Sequence, residues 1–223
     1  MQFYDYLMFK PESQRNFQKI TDLMIEEGFE ICGLYHVADW KNLSKKLYND
    51  QFSSNQHFKV SFESLAYIIN DLFGNDAIVA VVKGNNGLDE QQFYDKVLKF
   101  KKMIRKKFCK TDQIYLVANI DKMPINRDGI INNGTLKLKS SNGVIKSISR
   151  CPEDGLYKFH SLSYIHCPDP DKKVVFNELY LLYKEKIFDK SNEISKKELE
   201  EIMHYSTFKV LQSRNKISEI EKD

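Results

Sequence analysis

Residues 76–84 read DAIVAVVKG, an almost unbroken apolar and β-branched run. A run without polar alternation cannot leave one face in water, so it predicts a central strand covered on both sides. The chain therefore has to supply helices around a sheet. FYDYLMFK (3–10) is alternating and aromatic-rich, a strand that should stop at Lys10-Pro11. Phe17, Ile20, Leu23 and Met24 recur at helical spacing within 13–27, and Gly28 follows as a left-handed C-terminal stop. FEICGLYHV (29–37) reads as a second strand. Asp39 then caps a short helix running through DWKNLSKKLYND.

After a loop at FSSNQHFK, residues 61–71 read as helical, with Ser61 and Ser64 as candidate caps. Gly-Asn-Asn-Gly at 84–87 is a turn, and 88–108 is a long helix with Phe93, Val97, Phe100 and Ile104 on one stripe. Residues 113–120 look like a strand. Turn signals then dominate 121–160, where TLKLK and VIKSIS are set to pair across Ser140–Gly143 as a hairpin. FHSLSYIH (159–166) reads as one strand, and helices follow near 173–187 and 195–213, the second opened by Ser195 and Glu198 in capping-box spacing. This order predicts an α+β fold: a ferredoxin-like βαββαβ antiparallel sheet flanked by helices, with an inserted strand and hairpin region over about 112–160. A doubly wound parallel sheet would want a glycine-rich turn after its first strand, and Lys10-Pro11-Glu12 is the opposite.

The 223 residues suit one decorated domain, and a net charge of +3 gives no warrant for nucleic-acid binding. The basic run KFKKMIRKKFCK (99–110) reads as a solvated helix face. Four cysteines without regular spacing suggest reduced thiols. The N-terminus lacks the basic start and apolar stretch of a signal peptide, and no segment approaches a membrane span. A cytoplasmic protein with no membrane partner is expected.

Glycine-rich phosphate loops and a G-x-S-x-G elbow are both missing from the sequence. What stands out is LSYIHCPDPD (162–171), where a histidine closes an apolar strand before a proline-stiffened turn. His166 could be packed, a metal ligand or a nucleophile. A metal site from Cys151, His160, His166 and Cys167 is disfavoured, because adjacent strand residues point to opposite faces. As a nucleophile, an imidazole can attack a γ-phosphoryl through one nitrogen if the other is held by a carboxylate or carbonyl and if cations neutralise the phosphoryl oxygens.

Several separated motifs, in the right order, resemble those of nucleoside diphosphate kinases. MFKPE (8–12) is similar to that family's Val-Lys-Pro-Asp, and GFEICGL (28–34) to its Gly-Phe-x-[Ile/Leu]-x-Gly-Leu. AIVAVV matches the central Val-Val-Ala-Met-Val strand, Ile165-His166-Cys167-Pro168-Asp169 resembles the active-site Ile-His-Gly-Ser-Asp, and ELYLLY (178–183) resembles Glu-Ile-x-Leu-[Trp/Tyr]-Phe. The likeness covers about 1–83 and 161–183, is faint over 84–160 and ends near 190.

The resemblance implies a nucleoside diphosphate kinase-like phosphotransferase, working on nucleoside di- and triphosphates with Mg2+ through a phosphohistidine. It implies His166 as the phosphorylated nucleophile, Glu178 as the carboxylate orienting the imidazole, and Lys10 and Tyr48 beside the transferring phosphate. Arg105 and Thr111 keep the family's six-residue spacing of phosphate contacts, Arg150 is the second phosphate arginine displaced by the insertion, and Ser163 replaces an asparagine that bonds the ribose. Residues 1–190 would form the kinase-like domain and 191–223 a C-terminal helical extension. Cys167-Pro168 stands where the family has Gly-Ser, and the family's oligomer-forming loop is replaced by the insertion, so a homo-oligomer is an option and a hexamer is not assumed. These departures keep a second reading open, a nucleotide-binding or protein-interaction module of the same fold without turnover.

Overall fold

The computed structural model describes residues 2–54, 62, 66, 69–70, 74–84, 87–108, 114–117, 131–132, 135–139, 145–150, 157–160, 164–195 and 197, with backbone alone between 114 and 160. In chain order the strands are β1 (Phe3–Phe9), β2 (Glu30–Val37), β3 (Ala77–Gly84), β4 (Ile114–Val117), β5 (Ile131–Asn132), β6 (Thr135–Lys139), β7 (Ile145–Arg150), β8 (Tyr157–His160) and β9 (Ile165–His166).

One sheet has the order β2-β3-β1-β9, with every neighbouring pair antiparallel. β1 and β2 thus run parallel, joined by a 3-10 turn (Pro11–Asn16) and a helix (Phe17–Glu26), and β3 and β9 run parallel with the Glu90–Phe108 helix between them. This is the α+β, βαββαβ arrangement that the element order predicts. β3 is the buried centre anticipated from its sequence: Ala77, Ile78, Val79, Ala80 and Val82 have no exposed surface.

Alternation along β1 feeds both layers. Tyr6 and Met8 pack with Trp40, Leu43, Phe62, Ala66, Ile69, Val79 and Leu182 on one face. Leu7 and Phe9 pack with Phe17, Ile20, Met24, Phe93, Val97, Phe100 and Ile104 on the other. Burying each such large side chain stabilises the fold by roughly 1.5–3 kcal/mol, so this sheet is covered by apolar packing on both faces.

Local signals act as expected. Pro11 sits in the first turn of the 3-10 segment and Lys10 is extended before it. Gly28 takes φ +74°, with its N–H on Ile25 O and the Phe29 N–H on Met24 O, the paired bonds of a Schellman stop. Asp39 caps the Trp40–Leu47 helix through the Asn42 N–H. Phe62, Ala66, Ile69 and Asn70 are helical.

A second sheet, β4-β8-β7-β6-β5, is built wholly from the insertion. Its centre is the expected hairpin, with Thr135 opposite Ser149 and Lys139 opposite Ile145. The single strand anticipated over 159–166 is corrected: β8 pairs with β4 and β7, whereas β9 pairs with β1. Tyr164, at φ +47°, turns the chain out of the extended region immediately before β9. Apolar content alone does not reveal such a break. The helix expected over 195–213 falls outside the described residues apart from Ser195 and a helical Lys197. Among the described residues no helix is long and apolar enough to cross a membrane.

Candidate functional site

His166 lies opposite Met8 on the edge strand β9, which turns its ring onto the face of Tyr6 and Trp40. Just beyond it, Asp171 caps the Lys172–Lys184 helix by accepting from the Lys173 and Val174 N–H groups. That cap sets the helix's phase, and Glu178 in its middle reaches back to the ring. His166 Nε2 is 2.9 Å from Glu178 Oε2, and His166 Nδ1 is 2.9 Å from the Tyr48 hydroxyl. The Tyr6 hydroxyl donates to the same Glu178 oxygen at 2.6 Å.

These contacts fix the tautomer. An ionised carboxylate can only accept, so Nε2 carries the proton and donates it to Glu178. Nδ1 is left with its lone pair, which accepts from Tyr48. Burial lowers the imidazole's pKa from its usual value; Glu178 opposes this and the Lys101 and Lys10 charges reinforce it. Burial alone would raise Glu178, but imidazole and the Tyr6 hydroxyl outweigh it and hold the carboxyl below its usual range. Burial also raises both the Tyr6 and Tyr48 phenols, so each remains a donor. At neutral pH the arrangement is a neutral, oriented imidazole with one basic nitrogen.

Cations stand around it. Lys10 is 2% exposed, and its ammonium lies 5.7 Å from the Trp40 ring centroid and 5.9 Å from that of Tyr48. Tyr48 packs edge-on against His166, with centroids 5.4 Å apart. The Arg105 guanidinium donates to Ile165 O at 2.8 Å. His166 itself is only 6% exposed, and Tyr48 stands across its Nδ1. A reacting group can reach that nitrogen only when the phenol gives way.

His166, Glu178, Lys10 and Tyr48 are thus brought together, with Arg105 at the neighbouring residue. Arg150 ends β7 opposite Tyr157 in the second sheet, and its side chain lies outside the described residues, as do Thr111 and Ser163.

In outline the chain is similar to solved nucleoside diphosphate kinases. The enzyme from Aquifex aeolicus, in an orthorhombic crystal form, is 13% identical, with 87% of this chain and 100% of that one covered and a TM-score of 0.40. A Borrelia burgdorferi enzyme, a transition-state mimic with vanadate and ADP, is 13% identical over 87% and 91% of the two chains, with a TM-score of 0.41. A Halobacterium salinarum enzyme in complex with CDP is 12% identical over 86% and 91%, with a TM-score of 0.39. No family model and no curated protein sequence matches the chain. Likeness this remote concerns architecture, and the chemistry has to be argued from the residues themselves.

Three residues at the site escaped the sequence reading. Tyr6 shares a β1 face with Met8 and gives Glu178 its second donor. Lys101 is 9% exposed and donates to Cys167 O at 3.0 Å. Its signal was available, since it stands four residues after Val97 and three before Ile104, on the apolar stripe rather than on the wet face. Asp5 is 1% exposed and sits on the β1 face of Leu7 and Phe9, where alternation leaves no place for a solvated carboxylate.

Proposed function

We propose that this protein is a nucleoside diphosphate kinase-like phosphotransferase that carries a phosphoryl group on His166. The observation that carries the reading is the ring's bonding: Nε2–H on Glu178 at 2.9 Å leaves Nδ1 as the one basic nitrogen, facing Tyr48 and near the buried Lys10. In the forward half-reaction the Nδ1 lone pair forms a bond to the γ-phosphorus of a nucleoside triphosphate. The bond from that phosphorus to the bridging oxygen breaks, and the diphosphate leaves with the electron pair. The Nε2 proton stays on the ring, where Glu178 stabilises the positive charge. In the return half, a terminal oxygen of an incoming nucleoside diphosphate takes the phosphoryl group and the neutral imidazole is restored.

Lys10 would neutralise the phosphoryl oxygens, and Tyr48, once displaced from Nδ1, would donate to one of them. Arg105, Thr111 and Arg150 would hold the remaining phosphates and Ser163 the ribose. Magnesium would arrive on the triphosphate, bound mainly by phosphate oxygens; among the described residues no group of three or more His, Cys, Asp or Glu side chains is arranged to hold a metal. Residues 1–190 would be the catalytic unit and 191–223 an extension of it.

Incubation with γ-labelled ATP and magnesium should give an acid-labile, alkali-stable phosphoprotein, and His166→Ala should abolish it. An unlabelled wild type would remove the kinase reading. One observation favours a second reading: the ring is 6% exposed with both nitrogens already bonded, as in a site closed for good. A nucleotide-binding module without turnover would show nucleotide heats in calorimetry and no phosphoryl exchange, and an interaction module would show neither.

A further inference from the structure

Among the described residues, strand β9 has two residues and a single neighbour, β1, with Met8–His166 and Phe9–Ile165 in register. So short an edge strand does not fix an imidazole by its own ladder. Two basic side chains one helical turn apart hold it instead. Arg105 donates to Ile165 O at 2.8 Å and Lys101 donates to Cys167 O at 3.0 Å, so the carbonyls on both sides of His166 are held from the Glu90–Phe108 helix. That helix covers the opposite face of the sheet from the imidazole, and its i, i+4 pair reaches the edge together.

Other bonds fix the entry to the strand. The Tyr164 N–H donates to Glu12 at 3.1 Å, its carbonyl accepts from Lys10 N at 3.1 Å, and its ring stacks on Phe108 with centroids 6.0 Å apart. A tyrosine at positive φ persists only where its surroundings over-determine it.

We propose that Lys101 is a positioning residue for His166, forming with Arg105 a clamp on the peptide groups that flank the imidazole. This deepens the phosphotransferase reading and rests on it for its catalytic consequence. Lys101 touches no reacting atom. It sets where Nδ1 stands relative to Glu178 and Tyr48. The Asp5 carboxyl lies within electrostatic reach of Lys101, and the Glu178 carboxylate, also within reach, keeps the ammonium from being a lone buried charge.

The test uses the full chain and two measurements. In single-turnover labelling at saturating γ-labelled ATP, Lys101→Met is expected to lower the phosphorylation rate by on the order of 10²-fold, the effect of an ångström-scale misplacement. The nucleotide concentration at half-maximal rate should stay unchanged, and Lys101→Arg should restore most of the rate. Long-range proton–nitrogen NMR of imidazole-labelled protein should show wild-type His166 as the Nε2–H tautomer. Lys101→Met should give averaged nitrogen shifts, and Lys102→Met, which removes an exposed charge from the same helix, should leave the spectrum alone.

Wild-type tautomer and rate in Lys101→Met would overturn the clamp, as would Lys101→Arg behaving like Lys101→Met. If wild type takes no label, the phosphotransferase reading fails, yet the tautomer comparison still decides the clamp. Should Lys101→Met not fold, Asp5→Asn/Lys101→Met replaces the buried carboxyl together with the buried ammonium and is read by the same criteria.

Discussion

Glu178 Oε2 accepts from the Tyr6 hydroxyl and from His166 Nε2–H together. A glutamine there can turn its NH2 toward Nε2, which selects the opposite tautomer and places the proton on the nitrogen that attacks in the proposed transfer. Glu178→Gln should therefore lower the rate of γ-phosphoryl labelling by on the order of 10²–10⁴-fold, with nucleotide affinity nearly unchanged in calorimetry. Equal rates would show that the carboxylate does not orient the ring. Asp5 gives a second residue-scale expectation. Its carboxyl is pushed up to about 8, first by burial and also by Glu178, against the Tyr6 N–H and Lys101. A raised carboxyl binds its proton more tightly in the folded state, so its contribution to stability is fully present below its ordinary pKa. That contribution is lost as pH rises toward about 8. Asp5→Asn should flatten the fall in urea-unfolding free energy between pH 5 and 8, and an unaltered slope would mean that Asp5 titrates as an exposed acid. His166 and Glu178 were legible because a histidine at a strand end and a carboxylate in a motif are visible in one dimension. Tyr6 and Asp5 look like ordinary members of an alternating strand until the sheet's two faces are known.

Elements follow the same logic one level up. The Phe17–Glu26 helix, β3 and the 135–150 hairpin were readable because period, β-branching and turn chemistry are local properties. Gly28 was readable too, and its φ of +74° shows why: an L side chain there meets the crowding that disfavours left-handed backbone. Gly28→Ala should cost roughly 1–2 kcal/mol, seen as a lower urea midpoint with unchanged m. An unshifted midpoint would mean that the Schellman turn is not needed to join the helix to β2. The break between β8 and β9 was not readable. It depends on Tyr164, whose left-handed backbone is held by Glu12, Lys10 and Phe108, groups far away in sequence. In sequence, four residues (161–164) thus separate the inserted sheet from the strand that carries the imidazole.

Across the whole molecule, the strand order β2-β3-β1-β9 follows from two crossovers packed on one sheet, so element order was enough to anticipate it. What element order could not anticipate is how the sheet ends. β2 is an edge strand, and an open edge is a template for pairing with another chain. Here the segment after the Lys172–Lys184 helix returns to it: Tyr35 and Glu193 form an antiparallel bridge, and the Ile194 N–H donates to Leu34 O at 2.9 Å. Ile194 also packs on the apolar layer of Phe17 and Phe93. The chain therefore covers part of its own edge with residues whose sequence, SNEIS, carries no strand signal. Ile194→Pro removes that N–H and frees the Leu34 carbonyl. Sedimentation at matched concentrations should give the variant a greater average mass than wild type, rising with concentration as edges pair. Ile194→Ala, which keeps the N–H but loses the packing, separates the two effects: it should lower the unfolding midpoint without raising the mass. Identical masses for wild type and Ile194→Pro would mean that the return segment does not guard the edge.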